Sequence, residues 1–252
     1  MSSRDGEPRH TRYRQRRKPD ARPPDLASLR ASLGPPLRPE RTQARPESGA
    51  KAGDPRAFCY RCHKAEVVCL CSRIRVAANR TGILIFQHPR ERFHALGTAR
   101  IAALSLERCR ILGARWSAAG VGLAFEPPAR TGVLYPGTGS TPLGSLEPDE
   151  RPDHLVVLDG TWAHAHSLYR DNAWLQRLPH YALNPSEPSR YRIRQEPRTE
   201  CISTIESIVC ALKILEPETT GFSHLLNVFD SMIDDQIRFH CEREVGGAVS
   251  GR

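Results

Sequence analysis

Short apolar runs, each cut off by a cluster of polar residues, recur along the chain from about residue 81 onward. The clearest are Ile83-Leu84-Ile85-Phe86, ending in Gln87-His88-Pro89, and Leu155-Val156-Val157-Leu158, ending in Asp159-Gly160-Thr161-Trp162. Thr131-Gly132-Val133-Leu134-Tyr135 is a third, stopped by Pro136-Gly137. Runs of this length bounded by turn residues predict buried strands. Arg110 to Leu112 and His180 to Leu183 predict two shorter ones. Between them, residues 95–109 and 162–176 have helical composition. Ile205, Ile208, Val209, Leu212 and Leu215 recur at helical spacing until Pro217 ends the run, and a last amphipathic helix carries Phe222, Leu225, Phe229, Ile233 and Ile237. Strands alternating with helices predict an α/β fold with a mostly parallel sheet.

In such sheets, ligands bind beyond the carboxyl ends of the strands, which is where the polar stops lie. Asp159 and Thr161 have two readings there: they meet a ligand, or they cap the helix that follows. Trp162 either stacks on a planar ligand or belongs to the core. Leu158, Gly160 and Leu134 lie beside these residues. Tyr135-Pro136-Gly137 is a candidate second wall, its glycine letting the backbone approach a ligand. Ser203 and Thr204 open a predicted helix and either bind an anionic group with its free N–H groups or cap it. Glu206 completes a capping box with Ser203, which favours the structural role for that glutamate.

The 252-residue length allows one sizeable core with a small appendage. No apolar run approaches the roughly 20 residues that span a bilayer, and no signal-peptide core is evident, so a cytoplasmic protein without a membrane partner is expected. Residues 1–57 hold 14 Lys/Arg against 7 Asp/Glu and nine of the 21 prolines, a composition that predicts a disordered basic tail. Its cluster of Arg12, Arg14, Arg16, Arg17 and Lys18 suits phosphates; a purely solubilising extension is the other reading.

Cys59, Cys62, Cys69 and Cys71 form C-x2-C-x6-C-x-C within 13 residues. Four thiolates so spaced can close a tetrahedron around Zn²⁺, and a closed four-sulfur site is structural. His63 is surplus to it, and Cys109, Cys201, Cys210 and Cys241 read as inert thiols. The predicted organisation is a tail (1–57), a zinc-binding knuckle (58–76), a main domain (77–243) and a flexible carboxyl terminus (244–252).

The cysteine motif, Gln87-His88-Pro89-Arg90-Glu91, Leu134-Tyr135-Pro136-Gly137, Leu158-Asp159-Gly160-Thr161-Trp162, Tyr191-Arg192-Ile193-Arg194 and Cys201-Ile202-Ser203-Thr204-Ile205-Glu206 occur in one order. Together they resemble the DTW-domain family, the tRNA-uridine aminocarboxypropyltransferases, over roughly residues 58 to 240. The resemblance implies a SPOUT-like fold with a trefoil knot near the carboxyl terminus and an S-adenosylmethionine pocket. The reaction it implies is transfer of the 3-amino-3-carboxypropyl group to N3 of a tRNA uridine. Composition and periodicity carry no sign of a knot.

On that resemblance Asp159, Thr161 and Trp162 are the candidate catalytic residues. Asp159 either accepts the N3 proton or positions the donor. Leu134, Tyr135, Pro136, Gly137, Leu158, Gly160, Ser203 and Thr204 are the candidate donor-binding residues. His88, Arg90, Arg92, Arg192, Arg194 and Arg198 flank the motif loops and are candidates for tRNA contacts, with a solvated charged face as the bland reading. Two other functions stay open: a different SPOUT-like RNA enzyme, either a methyltransferase or an rRNA aminocarboxypropyltransferase, and a non-enzymatic zinc-containing RNA-binding module.

Overall fold

In a computed structural model the described residues are 57–184, 189–190 and 202–249, with side chains described to residue 238. The basic tail, Arg192, Arg194, Arg198 and Cys201 lie outside them, as does the side chain of Cys241. The chain opens with a small antiparallel pair, β1 (Phe58–Cys59) and β2 (Lys64–Ala65), then enters the first long strand, β3 (Gly82–Gln87). Helix α1 (Ala99–Ser105) leads to β4 (Cys109–Gly113), followed by a hairpin of β5 (Arg115–Ser117) and β6 (Gly120–Gly122). Strands β7 (Thr131–Leu134), β8 (Thr141–Pro142) and β9 (His154–Asp159) precede α2 (Trp162–Asp171), α3 (Ala173–Gln176) and β10 (His180–Ala182). Helices α4 (Thr204–Leu215) and α5 (Ser223–Val249) complete the described chain.

Six strands form one sheet in the order β4-β3-β9-β7-β10-β8, and every pairing in it is parallel. Every residue of β3 is buried. Its side chains alternate between two apolar layers: Ile83 and Ile85 join α1, α4 and α5, whereas Leu84 and Phe86 meet Leu168 of α2 and Trp174 and Leu175 of α3. Helices on both faces explain why the strands are apolar throughout and not alternating. Burying one such side chain is worth on the order of 1.5–3 kcal/mol, so these two layers dominate the stability of the domain.

The helix expected over 95–109 is confined to α1. Loop carbonyls of Ala95 and Gly97 accept hydrogen bonds from Lys64 Nζ at 2.5 and 3.1 Å instead of entering a helix, and Leu106 is extended at φ −126°, ψ 138°. The helix expected over 162–176 is broken at Asn172 (φ −126°, ψ 90°). That side chain donates to the carbonyls of Val121 and Leu168 and accepts from Leu123 N–H, exchanging helix continuity for an anchor on β6. The β5–β6 hairpin, with its exposed Trp116, was not among the expected elements. Helix α5 continues past residue 243, where the flexible terminus was expected to begin.

Candidate functional site at the carboxyl edge of the sheet

Strands β3 and β9 run in register so that their last residues, Gln87 and Asp159, are paired neighbours. Asp159 is 5% exposed, and each of its carboxylate oxygens accepts one hydrogen bond: Oδ2 from Gln87 Nε2 at 2.9 Å and Oδ1 from Thr204 Oγ1 at 2.7 Å. Burial pushes this carboxyl above the ordinary aspartate range, and the two hydrogen bonds oppose the rise. A buried carboxyl with a raised pKa and unused lone pairs is a stronger proton acceptor than a solvated one once ionised. The Gln87 partnership was not anticipated, although its signal was available: both residues are the polar ends of wholly apolar strands.

Asp159 faces a cavity of about 190 Å³. Four places supply most of its walls, and Ala165 of α2 and Leu183 after β10 add to them. Leu134, Tyr135 and Pro136 follow β7; Leu158, Gly160 and Trp162 surround the end of β9; Ile202, Ser203, Thr204 and Ser207 enter α4; and Glu91, His94 and Leu96 to Thr98 lie in the loop after β3. The volume is below the roughly 300–1,000 Å³ usual for pockets enclosing a drug-sized ligand. It therefore takes a compact group such as an amino-acid moiety whole and a larger molecule in part. The amino-terminal end of α4, a twelve-residue helix, brings its positive end to one side, where the Glu206 carboxylate already accepts from the Ser203 N–H and hydroxyl.

Most donor-site candidates of the sequence analysis meet here, with two departures. Gly137 does not line the cavity: it sits in an exposed turn in which Ser140 Oγ donates to its carbonyl at 2.8 Å. Thr161, a catalytic candidate, is also absent from the lining and caps α2, its hydroxyl accepting from His164 N–H at 3.3 Å. Trp162 is 50% exposed and lines the cavity, so it is not a core residue. Ser203 forms the anticipated capping box with Glu206 while still lining the wall. Gly160 is required sterically: a Cβ there would lie 2.7 Å from that of His164 and 3.5 Å from that of His88.

Behind this wall His164 Nδ1 lies 2.9 Å from Glu91 Oε1, and its ring stacks on His88 at 3.9 Å between centroids. His88 is 1% exposed, its Nδ1 accepts from Arg90 N–H, and burial together with His164 holds it below the ordinary histidine value. Of the arginine candidates, Arg90 lies over Trp116 at 5.7 Å and Arg92 over Phe93 at 5.3 Å.

The four thiols of Cys59, Cys62, Cys69 and Cys71 lie within 4.8 Å of one another and could hold a metal ion. The Cys59–Cys71 and Cys62–Cys69 sulfur separations are 3.6 and 3.7 Å. A tetrahedral ion with bonds of about 2.3 Å places its sulfurs about 3.8 Å apart, which these two separations match. His63 adopts a left-handed φ of 58° in the loop between the second and third cysteines and belongs to an aromatic row, not to this cluster. Through Lys64 the knuckle is tied to the 95–98 loop that walls the cavity, so metal binding would brace the ligand site from outside.

These features define a parallel α/β ligand-binding domain whose site opens at the carboxyl edge of the sheet beside a cysteine knuckle. The chain belongs to the DTW-domain family, whose model, the DTW domain, matches residues 56–237. It is 34% identical over 193 residues to tRNA-uridine aminocarboxypropyltransferase 2 of Mus musculus, covering 73% of this chain and 64% of that protein. It is likewise 34% identical over 167 residues to tRNA-uridine aminocarboxypropyltransferase 2 of Drosophila melanogaster, covering 63% of this chain and 66% of that one. In both cases the match spans slightly less than two thirds of the relative. Similarity extends to tRNA-uridine aminocarboxypropyltransferase A of Arabidopsis thaliana, 25% identical over 219 residues, with 73% of this chain and 82% of that protein covered. No solved structure matches the chain. Among the described residues no helix is long and apolar enough to cross a membrane.

Proposed function

We propose that this protein transfers the 3-amino-3-carboxypropyl group of S-adenosylmethionine to N3 of a uridine in tRNA, releasing methylthioadenosine. The observation that carries the reading is the buried Asp159 carboxylate facing a compact cavity at the end of β9. The names of the similar proteins supply the reaction class. In this reading the donor's methionine portion lies in the cavity between Pro136 and Ser203, and its adenosine lies toward the rim beside Tyr135 and Trp162. The SPOUT-like knotted architecture belongs to the same proposal. It fits the parallel sheet, and the crossing between β10 and α4 falls largely outside the described residues.

Asp159 accepts the N3 proton of the uridine as the nitrogen attacks the donor's γ-carbon. The new bond is N3–Cγ, the bond that breaks is Cγ–S⁺, and its electron pair neutralises the sulfonium as methylthioadenosine leaves. Gln87 and Thr204 hold the carboxylate in one orientation, which such a transfer requires. Zinc in the cysteine cluster would be structural, since four sulfurs leave no position for substrate.

Product analysis tests the reading. Incubation with S-adenosylmethionine and unmodified tRNA is expected to give methylthioadenosine and aminocarboxypropyluridine in equal amounts. S-adenosylhomocysteine with a methylated nucleoside would assign a methyltransferase instead, and modification confined to rRNA would replace tRNA as substrate. Absence of S-adenosylmethionine binding by calorimetry would leave the zinc-containing RNA-binding module.

A further inference from the structure

A second and larger cleft, about 690 Å³, lies on the other side of Gln87, the residue whose amide holds Asp159. One wall is the β5–β6 hairpin, which presents Trp116 at 60% exposure, edge-on to His88 at 5.3 Å. The opposite wall is built by the cysteine knuckle and the loop after β3. There Phe58, His63 and Phe93 form a row of rings with centroids 5.9 and 5.5 Å apart, and Phe93 is 65% exposed. Arg92, Arg100 and Arg115 line the cleft, and no acidic side chain is among the described residues that do. Arg100 is fixed by its Nε hydrogen bond to the Arg61 carbonyl at 2.8 Å, so the knuckle sets the position of one of these cations.

Trp116 and Phe93 are large rings left mostly exposed, each with one guanidinium over it, Arg90 at 5.7 Å and Arg92 at 5.3 Å, and two such ring–cation pairs facing one cleft mark it as an interaction surface. Rings alternating with guanidinium groups suit a chain of bases and phosphates: each base has a face to stack, and each phosphate a cation to meet. An A-form duplex offers no free base faces, so the chemistry selects unpaired nucleotides. We propose that this cleft binds single-stranded RNA, seating nucleotides next to the target uridine, with Trp116 and Phe93 as stacking platforms and Arg100 and Arg115 as phosphate contacts. The inference rests on the RNA-modifying function proposed above and adds a reason for the knuckle: it forms a wall of the RNA site. Gln87 lines the cleft and donates to Asp159, which lines the reaction cavity, so the two spaces neighbour one another across the ends of β3 and β9.

The test uses the full chain, a short fluorescent oligouridylate and an unmodified tRNA transcript, with anisotropy reporting affinity and calorimetry reporting S-adenosylmethionine binding. Trp116→Ala is expected to weaken oligouridylate binding about 5- to 100-fold, with Trp116→Phe restoring most of it and donor affinity unchanged in both. Arg115→Gln is expected to reduce the slope of log affinity against log salt by about 0.7. Trp116→Ala and Phe93→Ala variants that bind oligouridylate as the native chain does would overturn the proposal while leaving the transferase reading intact. So would a native chain that modifies tRNA with oligouridylate unable to compete. A native chain that neither binds nor modifies tRNA would overturn both.

Discussion

Replacing Asp159 with asparagine separates chemistry from architecture. The side chain keeps its shape, and its Oδ1 still accepts from Thr204, now 2.7 Å away; rotation of the Gln87 amide turns an oxygen toward the new Nδ2 across the present 2.9 Å contact. Fold and donor site should therefore persist. What is lost is the proton acceptor, worth about 10²- to 10⁴-fold in rate, or about 3–5 kcal/mol on the barrier. Stability should move the other way. Burial raises the Asp159 carboxyl above its unfolded value, so its favourable contribution is complete below the ordinary aspartate pKa of about 4 and is lost as pH rises through the raised native value. A neutral amide carries no such loss, so at pH 7 the variant should melt no lower than the native protein. Single-turnover transfer to unmodified tRNA, calorimetry with S-adenosylmethionine and thermal melts across pH 4–8 measure the three quantities. The native rate is expected to climb with pH as Asp159 ionises, and the variant to lack that limb. A variant as active as the native chain would refute the base, and one that melts lower at pH 7 would refute the burial argument.

Other predictions address the supports. Thr204→Val removes a hydrogen bond that lowers the Asp159 pKa, so the acidic limb of the pH–rate profile should move to higher pH, whereas an unmoved limb would assign it to another group. Cys62→Ser or chelation should release about one zinc per chain and lower the melting temperature by several degrees, as expected for a structural site, and metal analysis with calorimetric scans reads both. Gly160→Ala forces a Cβ against His164 and should cost about 1–3 kcal/mol in denaturant unfolding together with weakened donor binding.

Much of the sheet was legible because its strands are apolar on both faces and stop at polar residues. Asp159 stood out for the same reason, as a carboxylate closing an unbroken apolar run. The cysteine cluster was equally legible, since its spacing alone brings four thiols together. What escaped was set by side chains acting at long range. Lys64 and Asn172 hold carbonyls that would otherwise continue helices, and neither carries a local mark of that role. The exposed Trp116 lies on a short hairpin with no apolar alternation to announce it, so the cleft it walls was invisible in the sequence. Thr161 reads as catalytic from its neighbours, yet a threonine one residue before a helix serves equally as its cap, and its hydroxyl points to His164 N–H.

The most direct test of the account is a crystal structure with S-adenosylmethionine or a stable sulfonium analogue bound. The account predicts the methionine portion inside the cavity between Tyr135–Pro136 and Ser203–Thr204, its γ-carbon directed toward Asp159 with room for a uridine ring between them. A donor bound elsewhere, with Asp159 sealed off from it, would contradict the account.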